Sequence, residues 1–288
     1  MKPLDDAALS RLREAVLEPD LSATRYRLIS VAGKGVMGTV YVAEDSVLSR
    51  RVALKVLEPM RAPDPFLRRE AQVLARLEHP GIVPVHDAGE LPDGRRWYAM
   101  KLVQGERLDH ALRRKLGLGE RLRIFRQVCE TVAFAHAQGV LHRDLKPQNV
   151  MLGPFGEVLL LDWGLALLGT DGDDGARVGT EGFRAPEARG DARADVYSLG
   201  AILGQMRPLP PALEAIARKA TATLDARYPS AAALADDIDR FVEGDAVTAV
   251  PEGPFRKIAR MLSRHRVAAG IVAAYVLGRG LLFFLTGR

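Results

Sequence analysis

The spacing of apolar and polar residues divides the chain into two structural regions. Residues 26–56 carry short runs of β-branched and aromatic residues separated by polar connections, which is typical of strands. From about residue 120 onward apolar residues recur at helical spacing, interrupted by a strand-like run at 158–161. The pattern predicts an α+β fold in which a small β-rich lobe precedes a larger α-helical lobe.

Two more helical patterns flank the strand-rich region. Residues 5–18 have apolar positions at helical spacing, so we expect residues 1–23 to form a helical arm that packs without chemistry. Residues 64–77 form the second helix, with Pro65 in its first turn. This helix belongs to the small lobe.

The distribution of charge narrows the classes of function. The formal net charge is +5, but residues 256–288 hold seven bases and no acid, so the preceding residues hold 34 bases against 36 acids. A nucleic-acid-binding domain needs a basic face, which this distribution does not supply. Cys129 is the one cysteine, so no disulfide can form within the chain. We expect no nucleic-acid partner and a cytosolic domain.

A glycine-rich segment lies within the strand-like region. Residues 33–40 read G-x-G-x-x-G-x-V, with glycines at Gly33, Gly35 and Gly38. Dinucleotide-binding folds share this pattern, but there the third glycine opens a helix. Here β-forming residues 40–42 follow, so the segment predicts a strand–turn–strand flap over phosphate groups.

Two charged residues interrupt apolar faces. Glu70 lies on the apolar face of the helix at 64–77, and Lys55 lies in the apolar strand at 52–56. A buried charge without a partner is costly, because desolvation disfavours its ionised form. We predict an ion pair between Lys55 and Glu70; the alternative is a solvated Glu70.

Residues 142–149 combine three groups that phosphoryl transfer requires. Asp144 can receive the proton of a substrate hydroxyl, Lys146 can offset phosphoryl charge, and Asn149 can offer a neutral oxygen to magnesium. A strand-like run then delivers Asp162, which is how a fold places a metal ligand in a dry site.

Seven motifs, in order, resemble those of the bacterial Hanks-type (eukaryotic-like) serine/threonine protein kinases. Beyond the glycine segment, V-A-L-K and the helix glutamate, they are H-R-D-L-K-P-x-N at 142–149, D-x-G at 162–164, A-P-E at 185–187 and D-V-Y-S-L-G at 195–200. The resemblance implies a two-lobed protein-kinase-like fold over residues 24–250. It also implies transfer of the γ-phosphoryl group of ATP to protein Ser/Thr hydroxyls, with Mg2+, or alternatively Mn2+, as cofactor.

The resemblance assigns roles to individual residues. Lys55 would hold the α- and β-phosphates and pair with Glu70. Asp144 would be the catalytic base, while Asn149 and Asp162 would ligate magnesium. The residues implied to bind ATP are Ala32, Gly33, Gly35, Gly38, Val40, Ala53, Lys55, Met100, Leu102, Val103 and Leu152.

The resemblance also concerns the activation segment. Thr180 would contact Asp144, as in Ser/Thr-directed kinases, and Lys146 as a catalytic cation disfavours tyrosine specificity. Arg143 would bind a phosphate on the activation loop. We hypothesise that Thr170 is autophosphorylated, or that Asp173 and Asp174 partly supply the negative charge; the alternative is a solvated loop.

Two further residues would support the site. Asp195 would brace the backbone of the catalytic loop, and Arg227 would pair with Glu187 to tie the activation segment to the large lobe. The alternative for both is surface charge.

Two residues and one segment depart from the family pattern. Trp163 stands where phenylalanine is usual, and Ala32 stands where a larger aliphatic residue usually covers the adenine. Residues 207–211 form a connection that is shorter than usual and leaves no room for a substrate-docking helix. These departures concern regulation, nucleotide affinity and docking.

The last part of the chain has the composition of a membrane anchor. Residues 251–266 form a basic linker, and residues 267–285 are mostly apolar, about 28 Å of helix against a hydrocarbon core of about 30 Å. We expect a single-pass helix in the inner membrane with the kinase domain in the cytoplasm. Arg279 opposes this reading, and a helix on the membrane surface or in a partner, with a cytoplasmic location, is the alternative.

Two other functions share this fold. An ATP-binding pseudokinase scaffold would lack Lys55, Asp144 or Asp162, all of which are present. A small-molecule kinase would lack the A-P-E motif. The expected partners are ATP and protein substrates, with a homodimer left open.

Overall fold

The computed structural model describes residues 18–35, 38–57, 76–114, 116–163, 167–168, 179–187, 191–250 and 275. The predicted arm up to residue 17, Glu70, Thr170 and the segment 267–285 other than Tyr275 lie outside these residues. Within the described part of the chain, no helix has both the length and the apolar character needed to cross a membrane.

A five-stranded antiparallel sheet forms the small lobe. Its strands are β1 (Tyr26–Gly35), β2 (Gly38–Asp45), β3 (Arg50–Leu57), β4 (Val85–Glu90) and β5 (Arg96–Lys101), in the order β1-β2-β3-β5-β4. The β-rich first lobe expected from the apolar pattern is therefore confirmed.

The alternation of side chains in β3 gives the sheet two different faces. Val52 and Leu54 pack with Tyr41 and Trp97 in the core of the small lobe. Ala53 and Lys55, the intervening residues, line the cleft between the lobes. One strand thus stabilises the lobe and presents a lysine to the cleft.

The remaining elements belong mainly to the helical lobe. They are β6 (Glu106–Arg107), α1 (Leu108–Ala111), α2 (Leu118–Ala137), β7 (Val140–Leu141), a 3-10 turn (Pro147–Asn149), β8 (Val150–Leu152), β9 (Val158–Leu160), β10 (Leu167–Leu168), α3 (Ala192–Gln205), α4 (Pro211–Ala220) and α5 (Ala231–Glu243).

Polar side chains cap the first turns of two helices, α3 and α5. The carboxylate of Asp191 accepts a hydrogen bond from the Arg193 amide at the start of α3, and the Ser230 hydroxyl accepts one from Ala233 at the start of α5. Gly244 ends α5 with a φ of 77°, a conformation that costs glycine little. The chain is therefore turned back at a defined point.

A buried arginine holds the short connection between α3 and α4. Arg121, on α2, is 7% exposed and donates through Nη1 to the carbonyl oxygens of Met206 and Pro208. Both acceptors lie where α3 ends and the connection begins. The connection is thus packed against the lobe by a charged group rather than by a further helix.

Candidate active site

A cavity of about 1010 Å³ lies between the sheet and the helical lobe. Its lining includes the three glycines of the glycine segment, Ala53 and Lys55 of β3, and Met100 of β5. The catalytic-loop residues Asp144 and Asn149 lie on the opposite wall. The structure therefore brings together residues that are more than ninety positions apart in the sequence.

One residue of the predicted ATP set is misplaced by a single position. Met151 lines the cavity, whereas Leu152 does not and packs against the core of the helical lobe instead. Successive side chains of β8 point to opposite faces, so a shift of one residue reverses the assignment. The prediction for Leu152 was wrong, and Met151 takes its place.

Lys55 meets Asp162 in the cavity. The Lys55 Nζ atom lies 3.0 Å from Asp162 Oδ1, and the lysine is 7% exposed while the aspartate side chain is 43% exposed. Burial alone would raise the pKa of Asp162, but the ammonium of Lys55 outweighs it and the pKa lies below the usual 3.8. The carboxylate is ionised and open to the cleft, rather than dry as the strand pattern suggested.

The backbone at Asp162 is strained. Its φ is 59°, a value that residues other than glycine rarely adopt. The next residue, Trp163, is 1% exposed and packs against His142 with ring centroids 4.6 Å apart. The buried ring fixes the backbone on one side of Asp162 and turns the carboxylate toward Lys55.

Asp144 is the centre of a hydrogen-bond network. Its Oδ1 atom accepts from the Thr180 hydroxyl at 2.7 Å and from the Thr180 amide at 3.0 Å. Its Oδ2 atom accepts from Lys146 Nζ at 2.7 Å and from Asn149 Nδ2 at 3.2 Å. Lys146 also donates to the Thr180 hydroxyl at 2.7 Å, which closes the network. The carboxylate is thereby fixed in orientation.

Asp195 supports the catalytic loop from beneath. Its carboxylate accepts from the amides of His142 and Arg143 at 2.8 and 2.9 Å, and from His136 Nε2 at 2.8 Å. Asp195 is 1% exposed, and burial alone would raise its pKa. The hydrogen bond from His136 and the other donors outweigh burial, so the pKa lies below 3.8. A buried carboxylate thus ties α3 to the loop that carries Asp144.

Comparison with known proteins agrees with this geometry. The sequence profile described as "Protein kinase domain" matches residues 26–239. The chain belongs to the protein kinase family. The bacterial serine/threonine-protein kinase PknD of Chlamydia muridarum is 38% identical over 232 residues, covering 64% of this chain and 25% of that protein.

Two other similar proteins carry the same name. PknD of Chlamydia trachomatis serovar D is 34% identical over 299 aligned positions, covering 77% of this chain and 32% of that protein. PknD of Chlamydia pneumoniae is 36% identical over 225 residues, covering 64% of this chain and 24% of that protein. The chain thus spans a quarter to a third of the length of these relatives.

A second ion pair joins the activation segment of this kinase domain to its helical lobe. Arg227 Nη1 lies 2.5 Å from Glu187 Oε1, and Nη2 donates to Oε2 at 3.2 Å. The Arg227 side chain is fully buried and also donates to the carbonyl oxygens of Arg193 and Ala222. The pair therefore links three parts of the lobe.

Some residues of the kinase site lie outside the residues that the structure describes, and others were not predicted from the sequence. The Lys55–Glu70 pair and the phosphorylation of Thr170 stay predictions. His136 was missed, although a histidine facing the apolar side of a predicted helix is a signal for a buried polar partner. Met151 was also missed, and the signal that separates it from Leu152 is the alternation of side chains in β8, which puts the two residues on opposite faces.

Proposed function

We propose that the chain is an ATP-dependent serine/threonine protein kinase. The observation that carries the proposal is the placement of Asp144 in a network with Lys146 and Thr180, in the same cavity as the Lys55–Asp162 pair. A positioned carboxylate that is bound by one lysine and shares its cavity with a second lysine suits a reaction in which a hydroxyl attacks a phosphoryl group.

The residues around Asp144 have separable tasks. A substrate hydroxyl gives its proton to Asp144 as its oxygen bonds to the γ-phosphorus of ATP and the bond to the β,γ-bridging oxygen breaks. Lys146 offsets negative charge on the transferring group, and Lys55 does so at the remaining phosphates. Thr180 holds the carboxylate in line with the incoming hydroxyl.

Asn149 and Asp162 fit the divalent cation that such kinases use. The amide nitrogen of Asn149 donates to the Asp144 carbonyl at 2.8 Å, which leaves its Oδ1 as an acceptor. Asp162 binds Lys55 through Oδ1 and leaves Oδ2 for another ligand. Oxygen donors of this kind suit Mg2+, which would bind the nucleotide phosphates and neutralise their charge.

A transfer assay tests the proposal. The chain is incubated with labelled ATP, Mg2+ and a generic basic protein beside two variants, Asp144→Asn and Asp236→Asn, the second being a matched change at an exposed position of α5. We expect label on serine and threonine with the wild type and Asp236→Asn, and a loss of about 10³-fold with Asp144→Asn. Equal labelling by all three proteins would contradict the assigned base.

The same assay distinguishes the two alternatives. A pseudokinase scaffold would bind ATP in a separate titration and transfer no label. A small-molecule kinase would label no protein and would consume ATP only after a small-molecule acceptor is added to the assay.

We also propose that residues 251–288 attach the kinase domain to the inner membrane. Support comes from the basic linker and the nineteen mostly apolar residues at 267–285, opposed by Arg279. Carbonate extraction of membranes tests this. Retention of the full chain, and release of a chain lacking 267–285, is expected; release of both would contradict a spanning helix.

A further inference from the structure

The chain folds back after α5 and forms a strap, defined here as residues 245–250. The Asp245 amide donates to the Arg240 carbonyl at 2.7 Å, directly after the turn at Gly244. Val247 is 7% exposed, and Ala249 and Val250 pack against the core of the helical lobe. The strap leads directly into the segment that begins at residue 251.

A single buried carboxylate holds the strap. Asp237, on α5, is 1% exposed and accepts from the Thr248 amide at 2.6 Å, the Thr248 hydroxyl at 2.7 Å and the Ala249 amide at 3.0 Å. Its fourth donor is the Tyr228 hydroxyl at 2.6 Å. Three of its four donors therefore come from the strap, so one carboxylate accepts all three of these hydrogen bonds that hold the strap to α5.

Thr248 is the member of this cluster that reaches solvent. Its residue is exposed, while its hydroxyl donates to Asp237 and accepts from Lys219 Nζ at 2.9 Å. Lys219 also lies 4.3 Å above the ring of Tyr228, and Arg240 lies 3.9 Å from the Asp237 carboxylate. Thr248 is also the one hydroxyl in the strap sequence Asp-Ala-Val-Thr-Ala-Val.

We propose that Thr248 is a phosphorylation site of this kinase, and that a phosphate there releases the strap from Asp237. The inference rests on the proposed function, because it requires Ser/Thr kinase activity. It names an acceptor hydroxyl in the chain itself, which can be presented to the cleft of a second copy.

The chemistry balances with ATP as the phosphoryl donor. The Thr248 hydroxyl loses its proton to Asp144 of the second copy, an Oγ1–Pγ bond forms, and the bond from Pγ to the β,γ-bridging oxygen breaks to release ADP. The Thr248 hydroxyl must leave Asp237 before it can enter a cleft. Phosphorylation therefore occurs only on molecules in which the strap has separated from Asp237.

A phosphate keeps the strap open for two physical reasons. Phosphorylation removes the hydroxyl donor, so the bond from Thr248 to Asp237 is lost. It also adds about −1.5 to −2 charges beside a buried, ionised carboxylate. Arg240 is exposed and Lys219 is partly exposed, so both side chains can follow the phosphate outward and stabilise it in solvent rather than against Asp237.

Peptide mapping tests the site. The 288-residue chain is incubated with ATP and Mg2+ beside Asp144→Asn and Thr248→Val, each with a generic protein substrate. We expect phosphate on Thr248 in the wild type alone, while Thr248→Val labels the generic protein as well as the wild type does. Labelling of the generic protein with Thr248 unmodified would overturn the inference and leave the proposed function intact. No transfer to either would overturn both.

Hydrogen exchange tests the release, independently of enzyme activity. Amide exchange in residues 245–250 is compared between the wild type, Thr248→Glu and the control Thr248→Ser, which keeps the hydroxyl. We expect exchange about tenfold faster in Thr248→Glu and unchanged in Thr248→Ser. Protection in Thr248→Glu and in the phosphorylated wild type equal to that of the unmodified wild type would overturn the release.

Discussion

Asp195 and Asp162 show how the same type of side chain can have a structural role in one place and a chemical role in another. Asp195 is 1% exposed and accepts from two backbone amides and a histidine. Asp162 keeps 43% of its side chain exposed and accepts from the side chain of Lys55. Backbone donors cannot leave without unfolding, whereas a lysine side chain can turn to a phosphate. The first arrangement is structural and the second is suited to chemistry.

The largest effect is expected at the exposed member of this pair. Asp162→Asn removes the charge that faces Lys55 and the metal ligand, so phosphoryl transfer should fall by about 10³-fold or more. Thermal unfolding of the variant should change little, because the side chain is open to solvent. Rates of labelled transfer and a melting curve check both parts; a large fall in Tm would mean that Asp162 is structural too.

Substitution of the buried aspartate, Asp195, should mainly lower stability. Asp195→Asn turns an amide donor toward a backbone donor, either that of His142 or that of Arg143. The mismatch should lower the free energy of unfolding by about 3 kcal/mol. Urea unfolding measures this, and a loss below about 1 kcal/mol would contradict the bracing role.

The glycine segment offers a third contrast, between folding and ligand binding. A Cβ at Gly38 would lie 2.3 Å from the Val56 carbonyl oxygen, at a φ of 154°, so Gly38→Ala should cost about 2 kcal/mol of stability. A Cβ at Gly33 meets no atom within 4 Å among the described residues. Gly33→Ala should leave Tm unchanged, and a calorimetric ATP titration tests whether it weakens nucleotide binding. Equal Tm values for Gly38→Ala and Gly33→Ala would contradict the expected difference in stability.

Thr180 tests whether the orientation of Asp144 depends on a side chain. Thr180→Val removes the hydroxyl that bridges Asp144 and Lys146 but keeps the shape and the amide bond. Transfer should slow by about tenfold, and Thr180→Ser should recover most of it. Separate measurement of kcat and KM for the protein substrate shows whether the change affects transfer or substrate binding. An unchanged kcat would contradict a role of the Thr180 hydroxyl in orienting Asp144.

The smallest effect concerns acid stability. The pKa of Asp237 is lowered below 3.8 because the hydrogen bonds from Thr248 and Tyr228 outweigh burial. Its contribution to stability is therefore complete above about pH 4 and is lost as the pH falls through the folded-state pKa. The unfolding free energy of wild type should decline over that range more steeply than that of Asp237→Asn; parallel pH profiles would contradict this.

Local sequence patterns predicted the parts of the site whose residues lie close together in the sequence. Asp144, Lys146 and Asn149 lie within one loop, and Lys55, which the sequence marks as a charge within an apolar strand, lines the cleft. These predictions follow from spacing, because strand and turn geometry leaves few directions for the side chains.

Contacts that depend on distant segments could not be predicted in the same way. His136 meets Asp195 across 59 positions and Thr248 meets Asp237 across a chain reversal, and no spacing rule connects such pairs. Leu152 was assigned to the ATP site from the resemblance, and the structure places Met151, the neighbouring residue of β8, on the cavity side instead.

The contact between Trp163 and His142 also gives the molecule an optical signal. The chain contains two tryptophans, and the other, Trp97, lies in the core of the small lobe. In Trp97→Phe, emission would come from an indole directly adjacent to the aspartate that faces the nucleotide phosphates. Nucleotide or metal binding could then be followed by intrinsic fluorescence, without a label.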